Sequence, residues 1–179
     1  MSLVKIDQHI VSGTENTVVI GNSNWDSSYD VYLLSISGAT CDNNAVIQCR
    51  VNVSSTADSS ANYDTAIKIL QSSSAVANYG FSNGTSVPLS ANRMQAGAGR
   101  GFNGNFWVYQ ANDSGSYTYL TKSTSGWREA SGAEPQQNTS DHGGFLNSVN
   151  QAINGFTFYY DLGTDNFTAG QFTLYGLET

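Results

Sequence analysis

The chain has 179 residues and a formal charge of −7 from seven basic and fourteen acidic side chains, which suits a single domain spanning residues 1–179 and excludes a sequence-independent grip on phosphate backbones. Serine, threonine, asparagine and glycine fill 75 positions, which disfavours helix and favours strands joined by turns, while 39% hydrophobic and 12% aromatic residues supply a core and exclude general disorder. No apolar run approaches the length of about 20 residues that a membrane helix needs, and the first ten residues lack the basic start and apolar stretch of a signal peptide, so the expectation is a soluble, cytosolically made chain with neither membrane nor nucleic acid as partner.

Residues 3–19 hold two short apolar stretches around the turn signal Ser12-Gly13, and residues 21–28 form a polar loop carrying Trp25. Residues 29–37, rich in β-branched and aromatic side chains, predict a strand closed by Ser37-Gly38 and Cys41-Asp42-Asn43-Asn44. From 45 to 53 the odd positions read Ala, Ile, Cys, Val, Val and most even ones Gln, Arg, Asn, a period of two that buries one face. Residues 54–60 are small and polar. Residues 63–70 predict a strand, with one helical turn as the alternative, and 71–88 form a long polar stretch with the turn signal Ser82-Asn83-Gly84. A modest strand pattern resumes at 87–94. Two aromatic-rich runs, 102–110 and 117–122, flank Asn112-Asp113-Ser114-Gly115 and predict a hairpin. Residues 128–144 suit a long surface loop, and strands at 153–162 and 172–177 are bridged by the turn-rich 163–170. Roughly eight to ten strands at this spacing predict an all-β fold, an antiparallel β-sandwich or jelly roll.

Candidate chemistry is sparse. His9 and His142 have no second ligand at metal-motif spacing; although Asp141-His142 lies in a glycine-flanked loop that invites a metal or catalytic role, the expectation is no metal. No Gly-x-Ser-x-Gly elbow occurs. Cys49 lies on the inward parity of its strand and reads as a buried free thiol, with Cys41 in the adjoining turn; a hairpin disulfide between them is the alternative. The run Ala96-Gly97-Ala98-Gly99-Arg100-Gly101 is glycine-rich like a phosphate cradle, but a strand follows where a cradle needs a helix, which makes it a hairpin or interface loop. Glu129 and Glu134 beside Trp127 are the one pairing with the look of a glycosidase acid and base, and solvated loop residues are the plainer reading. Asp26 and Asp30 flank Ser27-Ser28 as in a calcium loop, yet without the glycine and distal glutamate of an EF-hand they read as turn caps. Phe156, Phe158 and Tyr160 share one strand face and Trp107 and Tyr109 another, so packing accounts for most rings. Tyr117, Tyr119 and Trp127, next to polar loops, are the candidate ligand or interface aromatics.

Three blocks occur in order: MSLVKI with SSYDVYLLSISGAT (27–40), RVNVSS before ANYD (50–55 and 61–64), and INGFTFYYDLGTDNFTAGQFTLYGLE (153–178). Together they resemble a β-rich, jelly-roll-like module common in virion proteins of tailed bacteriophages. The module's closing pattern ends in F-x-L-Y-G-L, matched here by Ala169-Gly170, Phe172, Leu174, Tyr175, Gly176 and Leu177. Its usual Asp-Gly-Gly turn after the second block is replaced by Ser-Ser-Thr-Ala-Asp-Ser-Ser. The resemblance implies a virion structural protein assembled in the host cytoplasm, not an enzyme, with no cofactor and no catalytic or metal residues to carry over. A compact domain without attachment segment or shaft fits a capsid decoration, or cement, protein on the outer capsid surface, with the major capsid protein as partner and a homotrimer as the expected oligomer. A tail-fibre or tail-associated module that binds host glycan, partnered by tail proteins, is the alternative.

Overall fold

A computed structural model describes the backbone of residues 1–71, 76–90, 93–97, 100–128 and 136–178, and the side chains of these apart from 71, 128 and 136–147. In chain order the strands are β1 Ser2–Ile10, β2 Thr17–Gly21, β3 Val31–Cys41, β4 Ile47–Val53, β5 Thr56–Ala57, β6 Tyr63–Gln71 and β7 Val76–Gly84. They continue with β8 Val87–Pro88, β9 Phe102–Tyr109, β10 Thr118–Arg128, β11 Gln136–Asn147, β12 Gly155–Tyr160 and β13 Phe167–Glu178. One short 3-10 turn, Asn22–Asn24, follows β2.

Two antiparallel sheets result. The larger runs β1-β13-β3-β9-β10-β11-β6-β7, and the smaller runs β2-β12-β4, with β5 and β8 both pairing with β4. Taken alone, β1, β2, β3, β4, β8, β9, β12 and β13 give sheets β1-β13-β3-β9 and β2-β12-β4-β8. Only the step from β4 to β8 stays within a sheet; all the others cross between sheets. That is the strand order of a jelly roll. The remaining strands are insertions: β5, β6 and β7 lie between β4 and β8, and β10 and β11 between β9 and β12. The insertions lay β10, β11, β6 and β7 onto the free edge of β9 and extend that sheet to eight strands.

The period-two patterns supply the core between the sheets. Ile47, Cys49 and Val51 of β4 and Phe156, Phe158 and Tyr160 of β12 face Phe172 and Leu174 of β13, all buried. The Phe158 ring meets Phe172 across the sheets at 5.1 Å, and Tyr160 meets Phe167 at 4.5 Å. At about 1.5–3 kcal/mol for each fully buried large apolar side chain, this layer is the main source of stability. One end is closed by Trp25, which lies 4.2 Å from Tyr32 and donates its indole N–H to Asn112 Oδ1 at 2.9 Å. Asn112 Nδ2 in turn donates to the Tyr29 carbonyl and the Tyr32 hydroxyl, both at 2.7 Å, tying the 21–28 loop to the β9–β10 turn. The closing sequence pattern is β13 itself. Phe172 and Leu174 point inward, and Gly176 has no room for a side chain, because a Cβ there would lie 2.3 Å from the Tyr29 ring. Gly170, at φ +137° and 2.9 Å from the Ala39 Cα by the same construction, lets β13 bulge against β3.

Several sequence-based expectations need correction. Ser37-Gly38 does not end a strand: β3 runs on to Cys41, with Gly38 at φ +61° in a bulge against β9 between Ile36 and Ala39. The polar stretch 71–88 contains β7 and β8, and in the stretch 128–144 β11 begins at Gln136, so the strands outnumber the eight to ten expected. A strand placed beside a partner has its backbone groups paired whatever its side chains, so Ser, Asn, Gln and Gly suffice there. The strand expected at 63–70 is present as β6, whereas the 87–94 pattern shrinks to β8 plus an isolated bridge from Met94 to Ala45. β13 begins at Phe167, inside the stretch read as turn. Trp107 and Tyr109 are not core residues: β9 buries Phe102, Phe106 and Val108 and turns the opposite parity outward.

Candidate functional site

The outer face of the eight-stranded sheet gathers the candidate rings. Residues opposite one another in neighbouring strands share a face, and the register runs Val31, Tyr109, Tyr119 in one row and Tyr175, Leu33, Trp107 in the next. Tyr109 and Tyr119 are exposed, at 37% and 46%, and the other four are half-buried. Leu3, paired with Leu177, continues the band to the sheet edge, and Tyr117 is exposed just before β10. Partly exposed apolar surface of this kind, held on a stiff sheet and bordered by Lys5 beside Tyr175, makes this end of the face a candidate interaction surface.

At the other end of the same strands the face is polar and grooved. A shallow groove of about 600 Å³ is lined by Gly38, Thr40, Gly101, Asn103, Trp127, Thr168 and Ala169. Its walls follow from strand parity. Lys122, Thr124 and Gly126 of β10 point inward, and Gly126 packs so closely on Met94 that a Cβ would lie 2.2 Å from the Met94 Cε, which leaves Trp127 on the outer face. Gly101 rests against Gly38, where a Cβ would lie 2.8 Å from the Gly38 Cα, so bare backbone makes the floor. Asn103 Oδ1 accepts from the Gly38 N–H at 2.9 Å, and the Thr40 and Thr168 hydroxyls bond each other at 2.8 Å. None of the seven lining residues is charged.

The other sequence candidates serve local structure or lie elsewhere. His9 Nε2 is 2.6 Å from Glu15 Oε2, and Glu15 Oε1 accepts from the Ser12 N–H at 2.8 Å, closing the β1–β2 turn. That N–H, more than the His9 bond, holds the Glu15 carboxyl below its usual range. The side chains of Asp141 and His142, and all of Glu129 and Glu134, lie outside the described residues. Among the described residues no group of three or more His, Cys, Asp or Glu side chains is placed to hold a metal ion. Cys41 and Cys49 are free and buried, and burial pushes both thiols up from their ordinary pKa. Asp26 Oδ1 accepts from the Ser28 N–H at 3.0 Å, the main cause of its lowered pKa, while Asp30 is exposed before β3. In the glycine-rich run, Arg100 donates from its backbone N–H and its Nη1 to the Gly97 and Ala96 carbonyls, each at 3.4 Å, and delivers Gly101 to the groove floor; Ala98 and Gly99 lie outside the described residues.

The structure therefore splits the three candidate aromatics. Tyr117 and Tyr119 belong to the aromatic end, whereas Trp127 belongs to the groove. Their shared face suggests packing for Trp107 and Tyr109, although the alternation of Phe102, Gly104, Phe106 and Val108 against Asn103 and Asn105 is the signal that sends them outward. Thr40, Asn103 and Thr168 left no local signal, since strand pairing brings them together from β3, β9 and β13. Lys122 was also missed: it is 4% exposed, and its Nζ donates to the Pro88 and Leu89 carbonyls at 3.0 and 3.1 Å, joining β10 to the opposite sheet. Comparison with protein-family models, curated proteins and solved structures finds no match for this chain.

Proposed function

We propose that the chain is a bacteriophage virion structural protein, a capsid decoration protein that docks on the outer capsid surface through the aromatic end of its large sheet. The single observation that carries this is the exposed band of Tyr109 and Tyr119 with Trp107, Leu33 and Tyr175 around them, on a sheet face over which no other element packs among the described residues. The resemblance of three sequence blocks to a phage virion module supports the reading, as does the jelly-roll strand order, which recurs in viral capsid domains. Function is argued from the face because a fold alone does not specify one. On this reading the chain is assembled in the host cytoplasm, works as a homotrimer at local three-fold positions of the shell, and performs no catalysis. Its action is thermodynamic: a ligand that binds only the mature, expanded lattice stabilises that lattice by mass action.

The test is co-sedimentation with expanded capsids that lack the chain, together with imaging of intact virions by electron cryomicroscopy. The double variant Tyr109→Ser, Tyr119→Ser is expected to bind capsids at least about tenfold more weakly, as loss of two central tyrosines does at protein interfaces. Unchanged binding would remove the docking face, and density confined to the tail would replace decoration by the second reading. That second reading, a tail-associated module binding host glycan, is favoured by Trp127 beside an uncharged groove.

A further inference from the structure

We propose that the Trp127 groove is a carbohydrate subsite that seats one neutral pyranose unit of a glycan. The groove combines the two kinds of surface a sugar ring presents. Trp127 supplies a flat apolar wall for the C–H face of the ring. Asn103 and the paired hydroxyls of Thr40 and Thr168 supply the polar edge. With Asn103 Oδ1 held by the Gly38 N–H, its two N–H donors are what a ligand meets. In the Thr40–Thr168 pair one hydroxyl proton is used between them, which leaves the other to donate and the oxygens to accept. The glycine floor lets a ring lie close to the backbone, and the volume falls within the range of small-ligand sites.

Charge selects the ligand class. Among the described residues none that lines the groove is cationic, and the chain carries −7, so phosphates, nucleotides and acidic sugars gain nothing from these walls. Peptides that add as strands need an unpaired sheet edge, whereas this groove lies on the face of strands already paired on both sides. One ring stacked on one indole with a few neutral hydrogen bonds corresponds to a Kd of about 1–10 mM, raised to useful avidity by repeated copies on one particle. The subsite stands apart from capsid docking. Asn103 and Tyr109 are six residues apart along β9, about 20 Å, so both ends of the face can be occupied together.

The experiment is a titration of the isotopically labelled full chain by two-dimensional NMR. The chain has three indole N–H signals, and Trp127→Phe identifies one of them. Lactose, maltotriose and mannotriose are the neutral probes, with trigalacturonate as the acidic control. At least one neutral probe is expected to move the Trp127 indole and the Asn103 side-chain amide saturably at about 1–10 mM, with the Trp25 and Trp107 signals unmoved. Binding should vanish in Trp127→Ala and weaken about fivefold in Asn103→Ala, the worth of one hydrogen bond. The unmoved Trp25 and Trp107 signals report that each variant is folded. No saturable shift with any neutral probe, binding that survives in Trp127→Ala, or equal binding of trigalacturonate would overturn the proposal. Capsid co-sedimentation of Trp127→Ala at the wild-type level separates its failure from a failure of the docking face.

Discussion

Lys122 shows how one side chain couples stability to pH. Buried in the core with only carbonyl acceptors, its amine is pushed down by desolvation to a pKa of about 7, a shift that the neighbouring Cys49 opposes. An unfolded chain, with its lysine near the ordinary value, binds the proton more tightly between about pH 7 and 10, so the folded state gains stability across that window as pH rises. Thermal melts of wild type and Lys122→Met should therefore show the wild type gaining on the variant from pH 7 to pH 9, and a difference independent of pH would count against a desolvated amine. Gly176 makes a steric prediction. Gly176→Ala drives a methyl into the Tyr29 ring and should cost about 1–3 kcal/mol in urea unfolding, with much of the loss recovered in the double variant with Tyr29→Ala. Neither role was legible in the sequence. Lys122 sits between Leu120 and Thr124 on an inward parity with no carboxylate in the pattern, and its acceptors come from the opposite sheet.

Among the elements, legibility followed burial. β4 and β12 bury one face each, so their alternation names the inward residues from sequence alone. β7 and β11 are polar runs with no sustained period-two apolar alternation, held by pairing to β6 and, for β11, to β10 as well, so no local hydrophobic pattern announces them. Their difference in burial has an energetic counterpart. Phe158→Ala, at the contact of β12 with β13, should cost about 3–5 kcal/mol, whereas Tyr79→Ser on the edge strand β7 should stay within about 0.5 kcal/mol, both measured by denaturant unfolding. Between elements, Asp42 clamps the β3–β4 turn to the start of β13: its Oδ1 and Oδ2 accept from Asn166 N and Nδ2 at 2.9 and 2.8 Å. The Asn166 N–H is the main cause of a lowered Asp42 pKa, so this stabilisation is present above the ordinary carboxylate range and is lost as pH falls through the depressed value. Asp42→Asn should lower the melting temperature at pH 7 and shrink the further loss on going to pH 3.

For the molecule as a whole, the strand count and turn chemistry sufficed for the sandwich, and the jelly-roll order emerged only once pairing was known. The candidate sites divide in the same way. Tyr117, Tyr119 and Trp127 were legible as surface rings because they adjoin polar segments, but their separation into two ends of one face, and the company of Thr40, Asn103 and Thr168, depend on register between strands distant in sequence. If the chain clamps a shell, the shell's melting temperature should rise with the concentration of free chain, with about 2.7 kcal/mol of added stability per site at a hundredfold excess over Kd. A shell whose melting is indifferent to added chain would remove the cement role.

The sheet extension has a material consequence. One rim of the large sheet, β1, carries Lys5, Asp7 and His9, while the other, β7, is a nine-residue strand without a single charged side chain and with Val76 and Tyr79 exposed. Charged rims repel stray strands and uncharged ones recruit them. Concentrated solutions should therefore form closed dimers through β7, a limited association that light scattering would detect and that Asn78→Lys would abolish.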